Sequence, residues 1–133
     1  MNLIDSSAWI DYLQGADTRA RTEVRDLLGA REALATSEPV VMELLAGAPN
    51  ERALTQLQLL TGSLVMLGIE PNLDYVDAAT IHRTVRRSGR TVRRLNDCVI
   101  AAVAMRHGAT LVHKDMDFEV IGECVPLDAL SLR

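Results

Sequence analysis

Four carboxylates, Asp5, Glu43, Asp97 and Asp115, stand where a folded chain can bring acidic side chains together, and the chemistry open to such a group is capture of a hard divalent cation. Two ionised carboxylates about 5 Å apart at an effective dielectric of ~20 repel by roughly 3 kcal/mol, so a cluster opposes folding unless a cation joins it. Asp5 ends the apolar run NLI, and Asp115 lies just past the apolar run TLVH. Both runs read as strands of a parallel sheet, where ligands bind beyond the carboxyl ends of the strands, so the two acids share one edge. If the strands are neighbours, their backbones are about 4.8 Å apart. Asp97 opens an apolar stretch read as a buried helix, where aligned N–H groups favour negative charge; the other reading is a plain helix cap. Glu43 lies one turn into SEPVVMELLAG, off the stripe of Val40, Val41, Leu44 and Leu45, and by itself reads as a solvated helix glutamate. Asp117 reads as a cap for the next helix or as a supporting acid. Spacing alone leaves open whether Asp97 and Glu43 reach the edge that holds Asp5 and Asp115.

The elements that must position these acids follow from periodicity and stop signals. After NLI, Ser6 or Ser7 caps a helix carrying Trp9, Ile10 and Leu13, and residues 17–30 form a second helix closed near Gly29. LAT at 34–36 is a brief strand, followed by a helix with Ser37 as cap, Pro39 in its first turn, and Gly47 and Pro49 as stops. Residues 51–60 read as helix, 63–69 as an apolar strand, and 72–87 as a longer helix with Ala78, Ile81 and Val85 on one side. Asn96 or Asp97 opens a helix to His107, apolar nearly all round, which Gly108 ends. TLVH at 110–113 is a strand, and a last short strand is expected at 124–127. Strands alternating with helices predict a parallel sheet covered on both faces.

The chain has 133 residues, 48% hydrophobic and 24% charged, which fits one compact domain spanning 1–133. Its longest apolar run, CVIAAVAM, is far below the roughly 18 residues of a membrane span, and the N-terminus lacks a signal peptide's pattern, so the expected location is the cytoplasm. Cys98 and Cys124 lack CxxC spacing and read as free core thiols; His82, His107 and His113 form no zinc motif. A net charge of -4 argues against coating nucleic acid by bulk attraction. Yet Arg83, Arg86, Arg87, Arg90, Arg93 and Arg94, six of the fourteen Lys and Arg residues, fall in HRTVRRSGRTVRRL with no acid among them. They read either as contacts for a phosphate backbone or as a solvated helix face, Arg90 joining the helical ones only if the helix survives Ser88 and Gly89.

LIDSSAWIDYL, SEPVVMELLAG, LNDCVIAAVA and TLVHKDMDFEVI together resemble, in order and spacing, the four motifs of the PIN-domain nucleases, most closely the VapC toxins of bacterial toxin-antitoxin pairs. The resemblance spans essentially the whole chain. It implies an α/β fold of three layers, α/β/α, with a central parallel sheet, and an endoribonuclease site using Mg²⁺ or Mn²⁺. Asp5, Glu43, Asp97 and Asp115 match the four acidic positions; Ser7 matches the small polar residue supporting the first aspartate, and Asp117 with Phe118 the tail of the fourth motif. Where the family usually has Thr, Ser or Asn two residues before the fourth aspartate, this chain has His113, which bears on fine geometry and pH dependence.

On that resemblance Asp5 and Asp97 hold the cation with Asp115 close by, and Glu43 acts directly or through water. Cleavage leaves a 5′-phosphate and a 3′-hydroxyl, with one metal or two. The six arginines position the RNA. The implied partners are a cognate VapB-type antitoxin, whose C-terminal segment covers the acidic cleft, and a second copy of the chain in a homodimer. A phospho-receiver or metal-dependent phosphatase also gathers acids at one sheet edge, but LVMLGIEP offers only Glu70 where a receiver carries its phosphorylated Asp. A non-catalytic PIN-like module that only binds RNA or protein is the other alternative, and the presence of all four acids argues against it.

Overall fold

A computed structural model describes residues 1–30 and 32–133. Among these residues the strands are β1 (Asn2–Ile4), β2 (Leu34–Thr36), β3 (Val65–Met66), β4 (Thr110–His113) and β5 (Ala129–Ser131). The helices are α1 (Ser6–Leu13), α2 (Arg19–Gly29), α3 (Glu38–Ala46), α4 (Glu51–Gly62), α5 (Pro71–Arg87), α6 (Leu95–His107) and α7 (Met116–Cys124). The strands make one sheet in the order β3-β2-β1-β4-β5. Every pairing is parallel, with Leu3 opposite both Ala35 and Leu111, so all strands end at one edge as the alternating pattern predicts.

Strand β1 is central because it can be buried on both faces: Leu3 and Ile4 are fully buried. From β1 the chain first builds outward through β2 and β3, then returns to add β4 and β5 on the other flank. The crevice between β1 and β4 is therefore the place where the winding direction reverses, the usual position of a ligand site in an open parallel sheet. The short strands are made obligatory by their helices. Residues Asp97 to Ala104 of α6 are all buried, and its small Ala101, Ala102 and Ala104 admit close neighbours. Ala78, Ile81 and Val85 supply the buried stripe of α5, and α5 and α6 pack against each other. Gly108 closes α6 at φ 63°, a left-handed conformation that glycine adopts without a Cβ clash.

Several boundaries differ from the sequence expectation. Asp5, not Ser6 or Ser7, caps α1, its carboxylate accepting the Ser7 amide. The apolar run 63–69 contributes only Val65–Met66 to the sheet, both exposed, because β3 is an edge strand with a single neighbour. The last strand lies at Ala129–Ser131 rather than 124–127, since Phe118, Val120 and Ile121 bury one face of α7, which runs to Cys124. Helix α5 stops at Arg87 and Gly89 takes φ 83°, so Arg90, Arg93 and Arg94 leave the helical face of Arg83, Arg86 and Arg87.

One buried ion pair had no forerunner in the sequence pattern. Asp74 is wholly buried in the first turn of α5 and receives Arg106 Nε at 2.9 Å and Nη2 at 2.8 Å, tying α5 to α6. The Arg106 hydrogen bonds hold the Asp74 carboxyl below its usual pKa against the penalty of burial. Cys98 is buried and free, Cys124 is half-buried and free. Among the described residues no helix is long and apolar enough to cross a membrane.

Candidate active site

The parallel sheet delivers the acids to one edge. Asp5 follows β1 directly, fully buried, its amide donating to the Val112 carbonyl of β4 at 2.9 Å. Ser7 fixes its carboxylate: the Ser7 amide donates to Asp5 Oδ2 at 3.0 Å, and the hydroxyl donates to the same oxygen. The Ser7 oxygen in turn accepts the Lys114 amide at 2.9 Å, so one serine joins the ends of β1 and β4. Ser6 donates its hydroxyl to Glu43 Oε2, and Asn96 donates its side-chain amide to Glu43 Oε1 at 2.6 Å. Glu43 is thus anchored from α1 and from the first turn of α6 rather than left in solvent. Ser6 and Asn96 were read from the sequence only as possible helix caps, not as site residues; the signal was their place beside Ser7 and Asp97.

Asp97 is the acid most deeply committed. It sits fully buried in the first turn of α6, and neither of its oxygens receives a hydrogen bond from a donor among the described residues; the same holds for Asp5 Oδ1. Oxygens of Asp97, Asp115 and Asp117 lie within 4.8 Å of one another. Asp117, expected as a cap or a supporting acid, is therefore part of the cluster itself. The capping role of α7 belongs to Asp115, whose Oδ1 accepts the Asp117 amide at 2.9 Å.

The electrostatics record the crowding. Burial, then the charges of Glu43 and Asp115, raise the Asp5 pKa from 3.8 to about 6 against the hydrogen bonds from Ser7. Burial, the facing Asp117 carboxyl, and the charges of Asp5 and Asp115 raise Asp97 to about 8 despite Arg94. Burial works against ionised Asp117 as well, yet the Asp97 carboxyl, the Arg93 and Arg94 amides and the Arg93 guanidinium bond to it and hold its pKa low. Without a cation, the proton on Asp97 is what lets these two carboxyls face each other. A donor set of hard oxygens, three of them buried carboxylate atoms that accept no hydrogen bond among the described residues, fits a small divalent cation.

His113 shows how a large ring serves where a hydroxyl was expected. It is 1% exposed, stacked in a tilted pair with Phe118 at 5.3 Å, and its Nδ1 accepts the Asp115 amide at 3.2 Å. Burial lowers its pKa, so the neutral ring keeps the Nδ1 lone pair that this bond needs. The arginines divide into two groups. Arg83, Arg86 and Arg87 are exposed on α5 and form no ion pair among the described residues. Arg90 pairs with Glu123 on α7, and Arg93 and Arg94 lean over Asp115, lining with it a cleft of about 400 Å³.

This constellation on a parallel sheet has known counterparts. Residues 3–123 match the PIN domain. The chain belongs to the PIN-domain family. Across its full length this PIN domain is 46% identical, over 134 residues, to VapC ribonuclease Mb1587 of Mycobacterium bovis and to ribonuclease VapC11 of Mycobacterium tuberculosis, covering 100% of each. The fold is shared with VapBC2 of Rickettsia felis, solved bound to a promoter DNA fragment, at TM-score 0.78 and 16% identity, covering 99% of this chain and 98% of that one. It is shared also with VapC20 of Mycobacterium tuberculosis, described as a sarcin-ricin loop cleaving toxin, at TM-score 0.69 and 23% identity, covering 96% and 99%. The three-layer arrangement expected from the motifs is the architecture of this PIN domain, with its acids at the β1/β4 crevice.

Proposed function

We propose that this PIN domain is a metal-dependent endoribonuclease acting as the toxin of a toxin-antitoxin pair. The observation that carries the reading is the pair of buried carboxylates, Asp5 and Asp97, with three oxygens that accept no hydrogen bond among the described residues, only the Arg94 guanidinium standing 3.5 Å from one of them. The full-length relatives at 46% identity, which bear the name ribonuclease, support RNA as the substrate. Asp5 and Asp97 would hold Mg²⁺ or Mn²⁺, with Asp115 and Asp117 beside them. A bound divalent cation supplies charge neutralisation at the phosphate oxygens and acidifies an attacking water.

The chain's own groups do the rest. Glu43, clamped by Ser6 and Asn96, would act at the site directly or through water. Ser7 keeps Asp5 aimed, and His113 keeps the Asp115 backbone in place. The exposed Arg83, Arg86 and Arg87 run along α5 toward the Arg93–Arg94 rim and suit a sugar-phosphate backbone, with base choice left to the shape of unstacked RNA. The partners of this reading are a VapB-type antitoxin lying over the acidic cleft and a second copy of the chain; the VapBC complexes that share the fold support the antitoxin.

The test is cleavage of a mixed RNA pool with end analysis. With Mn²⁺ or Mg²⁺ the expected products carry a 5′-phosphate and a 3′-hydroxyl, the P–O3′ bond having broken, and excess EDTA stops the reaction reversibly. Undiminished cleavage in EDTA, or products ending in a 2′,3′-cyclic phosphate, would overturn the mechanism.

A further inference from the structure

Two guanidinium groups rest on the acid cluster, and they are held in different ways. Arg93, though its side chain is 68% exposed, is held on Asp117 and Asp115 rather than on Asp97: its amide donates to both Asp117 oxygens at 3.1 Å, and its Nε and Nη2 reach Asp117 at 3.3 Å and Asp115 at 3.0 Å. Arg94 is tied by its backbone alone to Asp117, at 3.1 Å. Its side chain reaches over the cluster from outside, Nη2 donating to Asp115 Oδ2 at 2.7 Å with Nε 3.5 Å from Asp97 Oδ2. That side chain is 51% exposed while Asp97 is fully buried, so the guanidinium covers the acids from the solvent side. It also feels Glu43 and Asp5, which with Asp97 and Asp115 hold it charged against its partial burial.

A divalent cation held by Asp97 and Asp115 would need the oxygens that the guanidinium now contacts, and would keep water of its own beside them. We propose that Arg94 is a displaceable counter-ion, seated on Asp97 and Asp115 while the cation is absent and swung off them when it binds. This rests on the metal-site reading above. The backbone of residue 94 need not move, because Asp117 holds it; only an exposed side chain turns. The apparent dissociation constant of the cation is then its intrinsic value divided by the fraction of molecules in which Arg94 has turned away. Arg94 thus sets the cation concentration at which the site fills, and it is a positioning residue rather than a catalytic one.

Mn²⁺ affinity, measured by calorimetry and by electron paramagnetic resonance of the free ion, tests this in the wild type, Arg94→Gln and Arg93→Gln. Removing any cation from the rim tightens metal binding by through-space charge, and Arg93→Gln calibrates that part. Arg94→Gln is expected to bind Mn²⁺ roughly tenfold tighter than wild type, with Arg93→Gln changing less than about threefold. An Arg94→Gln affinity equal to or weaker than wild type, or a gain matched by Arg93→Gln, overturns the proposal. A second readout needs no variant: on saturation with Mg²⁺ the side-chain Nε–Hε resonance of Arg94 moves to the position of a free arginine while that of Arg93 stays. An Arg94 resonance that keeps its ion-paired position overturns the proposal whatever the affinities. If neither wild type nor Arg94→Gln binds Mn²⁺, the metal-site reading itself falls and takes the proposal with it; if wild type binds and Arg94→Gln gains nothing, only the proposal falls.

Discussion

Asp97→Asn lowers RNA cleavage by about 10³-fold while raising the melting temperature of the metal-free protein by several degrees. The loss follows from removing a carboxylate from the cation site, since metal-derived transition-state stabilisation of several kcal/mol corresponds to factors of this size. The gain in stability is the more discriminating half. Asp97 is fully buried, its pKa is pushed to about 8, and no donor meets its oxygens among the described residues. Relative to the unfolded chain, where it ionises at its ordinary pKa of 3.8, holding Asp97 in the folded site at pH 8 costs several kcal/mol as an upper limit, at ~1.4 kcal/mol per pKa unit. The amide carries no charge and can donate a hydrogen bond to Asp117, whose position across the cluster suits it. Loss of a favourable charge at the start of α6 offsets this by about 0.3 to 1 kcal/mol. A structural aspartate would behave oppositely, its removal lowering stability. Thermal unfolding in EDTA at about pH 8, beside cleavage assays at saturating Mn²⁺, reads both halves; a destabilised, inactive Asp97→Asn would mean that Asp97 is a fold residue.

The pH dependence of stability carries the second large effect. Asp5 and Asp97 have folded-state pKa values of about 6 and about 8, above the ordinary 3.8, so the folded protein binds more protons than the unfolded chain through that window. By linkage, their contribution is fully present below about pH 4 and is lost as pH rises through 6 and then 8. Asp5 alone accounts for roughly 3 kcal/mol of loss as an upper limit. Two sets of groups act in the other sense. Asp11, Asp74, Asp117 and Glu119 have lowered pKa values and add stability that fails as pH falls below the carboxylate range. Buried His113, with its pKa lowered, adds stability as pH rises toward its unfolded value of 6.5. The expected profile in EDTA therefore peaks in the weakly acidic range and declines to about pH 8, and saturating Mn²⁺ flattens the decline by taking the place of the protons. Urea denaturation at about pH 5, 6.5 and 8, with EDTA and with Mn²⁺, measures it; stability that climbs steadily to pH 8 in EDTA would contradict the assignment of these two groups.

How much of this was legible in the chain depended on range. Asp5 and Asp115 were placed at one sheet edge because strand ends are local events, marked by apolar runs that stop, and a parallel sheet aligns such ends without further information. The burial of Asp97 followed from an all-apolar helix behind it. Glu43 was beyond periodicity: its anchors, Ser6 and Asn96, lie 37 and 53 residues away, so only its match to a family motif put it at the site. Asp117 was left between cap and supporting acid for the same reason, since its place is set by the amides of residues 93 and 94 folded against it. The arginine stretch, free of acids along the chain, meets in space Glu123 of α7 and its cap Asp115, which no local count can show. The edge strand β3 was drawn too long and β5 was placed too early because edge strands carry a weak pattern, and because a helix burying Phe118 and Ile121 looks, over a few residues, much like a strand approaching its turn.

The convergence of the acids on one divalent cation is tested most directly by an anomalous difference map from crystals soaked in Mn²⁺. The expected result is a peak in coordinating contact with Asp5 and Asp97, bordered by Asp115, with the Arg94 side chain turned from its present seat. No peak at the acids while Mn²⁺ binds elsewhere in the crystal, or a peak remote from Asp97 with the four carboxylates unchanged, would contradict it.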